Sequence, residues 1–237
     1  MEKKQIVFPL GLHNAIAYKD GVLSDFLCDS IIDFMEKEDN KNLLRVGMTA
    51  SGVESDHKVC TDGTISAFHP AVLEHQAPTL EILSSQIFSS FSPLVEEYCN
   101  NYEHMQFWTT RLDTGYQYQH YIKNQGLYKV HVDGSSFDKP GYSERVLAII
   151  MYLNTVEEGG GTEFPLHDLT IGAVKGRVAI FPTNFNYPHS GLKPISNDKF
   201  IISSFMFSPL TKEHFDRSSY YWNEVLQRNA EAEGINV

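Results

Sequence analysis

Val146-Leu147-Ala148-Ile149-Ile150-Met151-Tyr152-Leu153 is an unbroken apolar run closed by Asn154, and it does not stand alone. Shorter apolar or alternating runs surround it, at Tyr128 to Val132, Val178 to Phe181 and Phe200 to Phe207. Gly134, Pro140-Gly141, Gly159-Gly160-Gly161, Gly172 and Gly176 separate them. Many short strands at this pitch, with no helical pattern between them, indicate a β-sandwich or barrel. The texture begins near Phe107. Upstream the chain is mixed. Ser24 is an N-cap candidate, followed by Phe26, Leu27, Ile31, Phe34 and Met35 at helical spacing up to the charged Glu36-Lys37-Glu38-Asp39. A second helical region runs through Leu80, Ile82, Leu83, Ile87, Phe88, Phe91, Leu94 and Val95, with an interruption expected near Pro93. Residues 41 to 69 are polar and carry no clear assignment. The tail from Lys212 to Gly234 reads as a helix. No shift in composition marks a second domain. One domain over 1–237 is expected, with a supporting region at 1–104, a β core at 105–210 and the tail at 211–237.

Bulk properties narrow the function. Hydrophobic residues make up 42% of the 237 and charged residues 21%, an ordinary globular balance. A formal charge of −11 disfavours nucleic acid and anionic membrane as partners, since both reward basic surface. The same sign suits a basic peptide or protein substrate. Cys28, Cys60 and Cys99 lack paired spacing, so neither a disulfide framework nor a zinc cluster is expected, and a reducing, cytoplasmic setting fits. Met1 to Ala17 is broken by Pro9, Gly11, His13 and Asn14 and does not read as a signal peptide.

The chemistry centres on His131-Val132-Asp133. With 10 histidines and 30 acidic residues, chance alone supplies about one His-x-Asp/Glu, and His214-Phe215-Asp216 is a second instance. Context separates the two. In a strand, residues i and i+2 project from one face, so His131 and Asp133 can chelate one ion. In a helix i and i+2 diverge, which leaves 214–216 as a solvated face. A 2-His-1-carboxylate site needs a further histidine and leaves open positions for a chelating co-substrate and O₂. His189, between the strand-like Arg177 to Pro182 and the next strand, is placed to supply it. Lys199 opens the apolar run Phe200 to Phe207, where an unpaired cation is costly. It reads either as the anchor of a ligand carboxylate or as a strand-edge lysine with a solvated head.

Several pieces in order carry a resemblance. They are Tyr128 to Asp133, Arg145 to Asn154, Glu157-Glu158-Gly159-Gly160-Gly161-Thr162-Glu163-Phe164-Pro165, Lys175 to Pro182, His189-Ser190-Gly191 and Lys199, preceded by Gly21 to Ile32. Together they resemble the prolyl 4-hydroxylase-type branch of the iron(II)/2-oxoglutarate oxygenases, including the small forms of bacteria and phages, over most of residues 21 to 210. For a phage-encoded form the setting is the host cytoplasm. The resemblance implies a double-stranded β-helix, a jelly-roll of the cupin kind, buttressed by N-terminal helices. It implies His131, Asp133 and His189 as catalytic iron ligands and Lys199 as the anchor of 2-oxoglutarate. It also implies a dioxygenase that turns 2-oxoglutarate and O₂ into succinate while hydroxylating a C–H bond, with ascorbate (vitamin C) as reductant. Tyr121 matches a tyrosine that hydrogen-bonds the co-substrate carboxylate, although one extra residue separates it from His131. Thr162 matches a position beside the co-substrate. Arg145 matches a position facing peptide substrate. Phe205 stands where such prolyl hydroxylases carry tryptophan near the substrate proline. Tyr128, an odd number of residues before His131, is expected on the opposite face as core packing. Gly134 to Tyr142 suits a mobile lid or a plain surface loop.

The expected substrate is a peptidyl proline, followed by another peptidyl residue or a free amino acid. Two readings from other classes stand beside it. One is a zinc metallohydrolase, which has no use for Lys199, and the other is a jelly-roll binding module that has lost its reaction.

Overall fold

Ser24 caps a helix, its Oγ accepting the Leu27 N–H at 3.2 Å, and α1 (Asp25–Met35) follows. The computed structural model describes residues 15–49, 52–102, 112–113, 115–134 and 145–207. The helix expected at 212–234, with His214 and Asp216, and the loop expected beyond Gly134 lie outside the described residues. Helix α1 turns Leu27, Cys28, Ile31 and Met35 inward, while Phe26 is 77% exposed and off that face. The second helix, α2 (Ala77–Asn100), runs through Pro93 without the expected interruption. Phe91, Leu94 and Val95 on either side of the proline are buried, and that packing outweighs the lost backbone hydrogen bond.

The strands are β1 (Ala17–Lys19), β2 (Leu44–Val46), β3 (Lys58–Val59), β4 (Thr61–Ile65), β5 (Leu112–Asp113), β6 (Tyr116–Tyr121), β7 (Leu127–His131), β8 (Arg145–Tyr152), β9 (Thr162–Phe164), β10 (Leu169–Ile171), β11 (Val178–Pro182), β12 (His189–Gly191) and β13 (Lys199–Phe207). They form two antiparallel sheets. The larger has the order β1-β11-β8-β13-β6-β4-β2, with β5 paired to β13, and the smaller has the order β10-β9-β12-β7-β3. This is a mainly β jelly-roll with flanking helices, as the sequence texture indicated. Gly159 and Gly160, in the turn between β8 and β9, have φ of 74° and 68°, a left-handed backbone that explains the choice of glycine. Among the described residues, no helix is long and apolar enough to cross a membrane.

Period-2 alternation divides the larger sheet between two cores. Tyr116, Tyr118, Leu147, Ile149, Met151, Val178, Ile180 and Ile202 point outward and pack with the buried faces of α1 and α2. Tyr121, Ala148, Ile150, Tyr152, Ala179, Phe181 and Ile201 point inward with Phe164 and Ile171 of the smaller sheet. The helices thus hold the larger sheet from behind, and its front lines the interior of the roll.

Candidate metal centre and co-substrate pocket

His131 ends β7 and His189 begins β12, and the two are register partners. Asp133 lies two residues beyond His131. Their ligand atoms all fall within 4.8 Å of one another. His131 Nε2 is 3.5 Å from Asp133 Oδ1, and His189 Nε2 is 3.4 Å from Asp133 Oδ2. The opposite ring nitrogens are held by backbone: His131 Nδ1 lies 2.8 Å from the Lys129 carbonyl and His189 Nδ1 3.2 Å from the Tyr187 carbonyl. A carbonyl only accepts, so Nδ1 carries a proton in both rings and Nε2 is the nitrogen that faces the carboxylate and is placed to ligate. Burial pushes the His189 ring down to about 4, which keeps it neutral and ligand-ready at pH 7. Burial raises the Asp133 carboxyl, but His189, His131 and Arg145 outweigh it and hold the group below its ordinary range. Two imidazoles and one carboxylate converging in this way fit a divalent ion with open coordination positions.

Gly134 lets the chain leave Asp133 closely against β11. Its N–H donates to the Thr183 carbonyl at 3.0 Å, and a Cβ there would sit 2.6 Å from Thr183 Oγ1. Thr183 Oγ1 in turn donates to the Arg145 carbonyl at 2.6 Å. The Arg145 guanidinium lies over the Phe205 ring, 3.8 Å from its centroid, with a long 3.5 Å contact from Nη1 to the Asp133 carbonyl. Arg145 and Phe205 therefore stand together at the metal end of the roll.

Lys199 is at the other end. It pairs with Tyr121 in the β13–β6 ladder, is 2% exposed, and its Nζ is 5.2 Å from the centroid of the Tyr121 ring and 5.8 Å from that of Tyr152. The solvated-head reading is thereby set aside. No acidic side chain pairs with it among the described residues, and burial lowers its ammonium to about 7. Thr162 reaches the same corner through Tyr152, whose hydroxyl donates to Thr162 Oγ1 at 2.7 Å.

Two residues near these groups escaped the sequence reading. Tyr152 was legible only as part of an apolar strand. Tyr128 was expected on the far face, and the structure corrects this. His131 pairs with His189 but Tyr128 pairs with Gly191, so three steps of β7 match two of β12. The surplus residue is a β-bulge with Lys129 and Val130 both exposed, and it returns Tyr128 to the face of His131. The two rings stack at 3.6 Å and 17°, with His57 edge-on to Tyr128 at 5.7 Å. The extra residue noted between Tyr121 and His131 was the available signal.

Residues 116–207 match the family model of the 2OG-Fe(II) oxygenase superfamily. Among solved structures, the chain is similar to the viral collagen prolyl hydroxylase of Paramecium Bursaria Chlorella virus-1 in complex with 2OG. Identity there is 21% and the TM-score 0.57, covering 83% of this chain and 98% of that one. A Trichoplax adhaerens prolyl hydroxylase, bound to a peptide fragment of the hypoxia inducible factor oxygen degradation domain, has 18% identity and a TM-score of 0.62, with 83% and 84% covered. A Pseudomonas putida prolyl-4-hydroxylase has 14% identity and a TM-score of 0.60, with 81% and 92% covered. Comparison with curated protein sequences gives no match. At these identities the structural likenesses establish the fold.

Proposed function

We propose that the chain, whose residues 116–207 match the model of the 2OG-Fe(II) oxygenase superfamily and whose fold is like that of prolyl hydroxylases, is an oxygenase of this kind that hydroxylates a proline, or a similarly compact aliphatic side chain, within a peptide. In this reading His131, Asp133 and His189 hold iron(II), and Lys199 holds the far carboxylate of 2-oxoglutarate in a corner lined by Tyr121, Tyr152 and Thr162. Bound iron, with 2-oxoglutarate and O₂, supplies the oxidising power for C–H hydroxylation and leaves succinate and CO₂.

The chain's own part is placement. The Lys129 and Tyr187 carbonyls fix the tautomers of both imidazoles, so metal binding needs no ring reorientation. The Tyr128 ring covers one face of His131. Arg145 and Phe205 offer a cation and a flat apolar surface at the metal end, where a substrate carbonyl and an aliphatic ring find complementary partners. The Trichoplax neighbour, solved with a peptide, supports a peptide substrate.

The observation that carries the proposal is the buried Lys199, facing the same interior as the triad without an acidic partner among the described residues. A metallohydrolase has no use for it. A dicarboxylate co-substrate does, because an uncompensated buried cation is stable only when its binding partner is an anion. The decisive experiment is succinate formation with iron(II), 2-oxoglutarate and a panel of proline-containing peptides. Turnover with peptides is expected. Succinate only with free amino acids would displace the peptide reading, and none under any condition would displace the oxygenase reading.

A further inference from the structure

A continuous hydrogen-bonded chain runs along the inner face of β6 and ends at the Lys199 corner, and its polarity can be read from one end. The starting point is Asp62, fully buried on β4. It accepts from Lys58 Nζ at 2.9 and 2.7 Å, from the Cys60 thiol at 3.1 Å, from the Met48 N–H at 3.0 Å and from Gln117 Nε2 at 3.0 Å. An ionised carboxylate only accepts, so Gln117 must turn its NH₂ toward it. The Gln117 carbonyl oxygen then faces back, where Gln119 Nε2 meets it at 3.2 Å and also reaches Ser203 Oγ at 3.1 Å. With its NH₂ engaged there, Gln119 presents Oε1 to the Tyr121 hydroxyl at 2.7 Å. Tyr121 has one proton, and the chain commits it to Gln119. The other neighbour of that hydroxyl is the Cys60 sulfur, whose own proton goes to Asp62 and which is a weak acceptor beside the Gln119 oxygen.

We propose that Gln119 is a positioning residue that holds the Tyr121 hydroxyl proton away from the co-substrate, so that Lys199 carries the carboxylate without a tyrosine O–H. The inference rests on the reading that places the 2-oxoglutarate carboxylate at Lys199, and it revises the part that resemblance assigns to Tyr121. The tyrosine forms a wall of the corner, and its oxygen turns lone pairs, not a proton, to the ligand side. The Lys58–Asp62 pair enforces this arrangement from the neighbouring strand β4, since the carboxylate fixes which way the Gln117 amide points and Gln117 in turn orients Gln119. The consequence is a co-substrate site weaker than its residues permit, and one that tightens when the amide is removed.

The test is the dissociation constant for 2-oxoglutarate, measured by titration calorimetry on the manganese(II)-loaded protein alongside KM and kcat of the iron enzyme. Gln119→Leu frees the Tyr121 proton, so the constant is expected to fall about tenfold or more, as for one added hydrogen bond to a charged group. Gln119→Met serves as a second variant should leucine impair folding, with the same expectation. In Gln119→Leu/Tyr121→Phe the gain is expected to vanish, leaving the double variant no tighter than Tyr121→Phe. An unchanged or weakened constant in both Gln119 variants overturns the proposal, as does a tenfold loss in Tyr121→Phe alone. Lys199→Ala, measured in parallel, separates the two levels. A tenfold or greater loss there keeps the co-substrate at this corner, whatever Gln119 does, and no loss removes both the placement and this inference.

Discussion

Lys199 shows how much a single residue decides. Its ammonium sits between the rings of Tyr121 and Tyr152 and burial lowers it to about 7. Lys199→Ala should leave metal binding intact while raising the KM for 2-oxoglutarate roughly 30-fold or more, since truncating one partner of a buried charge pair costs about 2–5 kcal/mol. Separate measurement of metal affinity and KM checks both halves. A pH dependence follows from the same lowering. Without ligand the side chain loses its proton as pH rises through about 7, whereas a bound carboxylate favours the charged form. Binding above pH 7 must therefore take up a proton, and affinity should fall as pH rises from about 7 toward the ordinary lysine range. Calorimetry of 2-oxoglutarate binding in buffers of different ionisation enthalpy reads that proton directly, and equal heats in all buffers would refute it. For folding the sign is opposite: the unfolded chain binds more protons between about 7 and the ordinary lysine value, so this residue's contribution to stability grows with pH across that window.

At the scale of elements, the corner where β3 hands over to β4 buries a polar cluster. Lys58 belongs to the smaller sheet and Asp62 to the larger, so their ion pair ties one sheet to the other. Asp62→Ala should destabilise the fold by about 3–5 kcal/mol, because it leaves Lys58 charged and buried. Lys58→Met should cost less, since Gln117, Cys60 and the Met48 N–H still serve the carboxylate. Chemical denaturation ranks the two. This corner is also where the sequence was least informative. Strands such as Val146 to Leu153 announce themselves by apolar composition, and α1 by a cap and a period. Strand β4 and the inner face of β6 hold Asp62, Gln117, Gln119 and Tyr121, whose polarity is satisfied only by partners far along the chain. No local pattern reports that. The bulge in β7 is similar: the shared face of His131 and Asp133 was legible from a strand context, but the side taken by Tyr128 depends on how β12 pairs with it. The passage of α2 through Pro93 is settled by burial on both sides, which propensity does not see.

For the whole molecule, the charge of −11 bears on how substrate arrives. A cationic peptide should show a KM that rises with ionic strength, and an otherwise identical neutral peptide should not. Steady-state kinetics at low and high salt compare them. The division of labour between the two cores reaches further. The larger sheet gains much of its apolar support from the face turned to α1 and α2, while the face turned to the pocket carries both apolar and polar side chains. Stability and reactivity are thus written on alternate residues of the same strands. An exchange at Phe205 can therefore reshape the metal end of the pocket while the helix-backed lattice keeps the barrel closed.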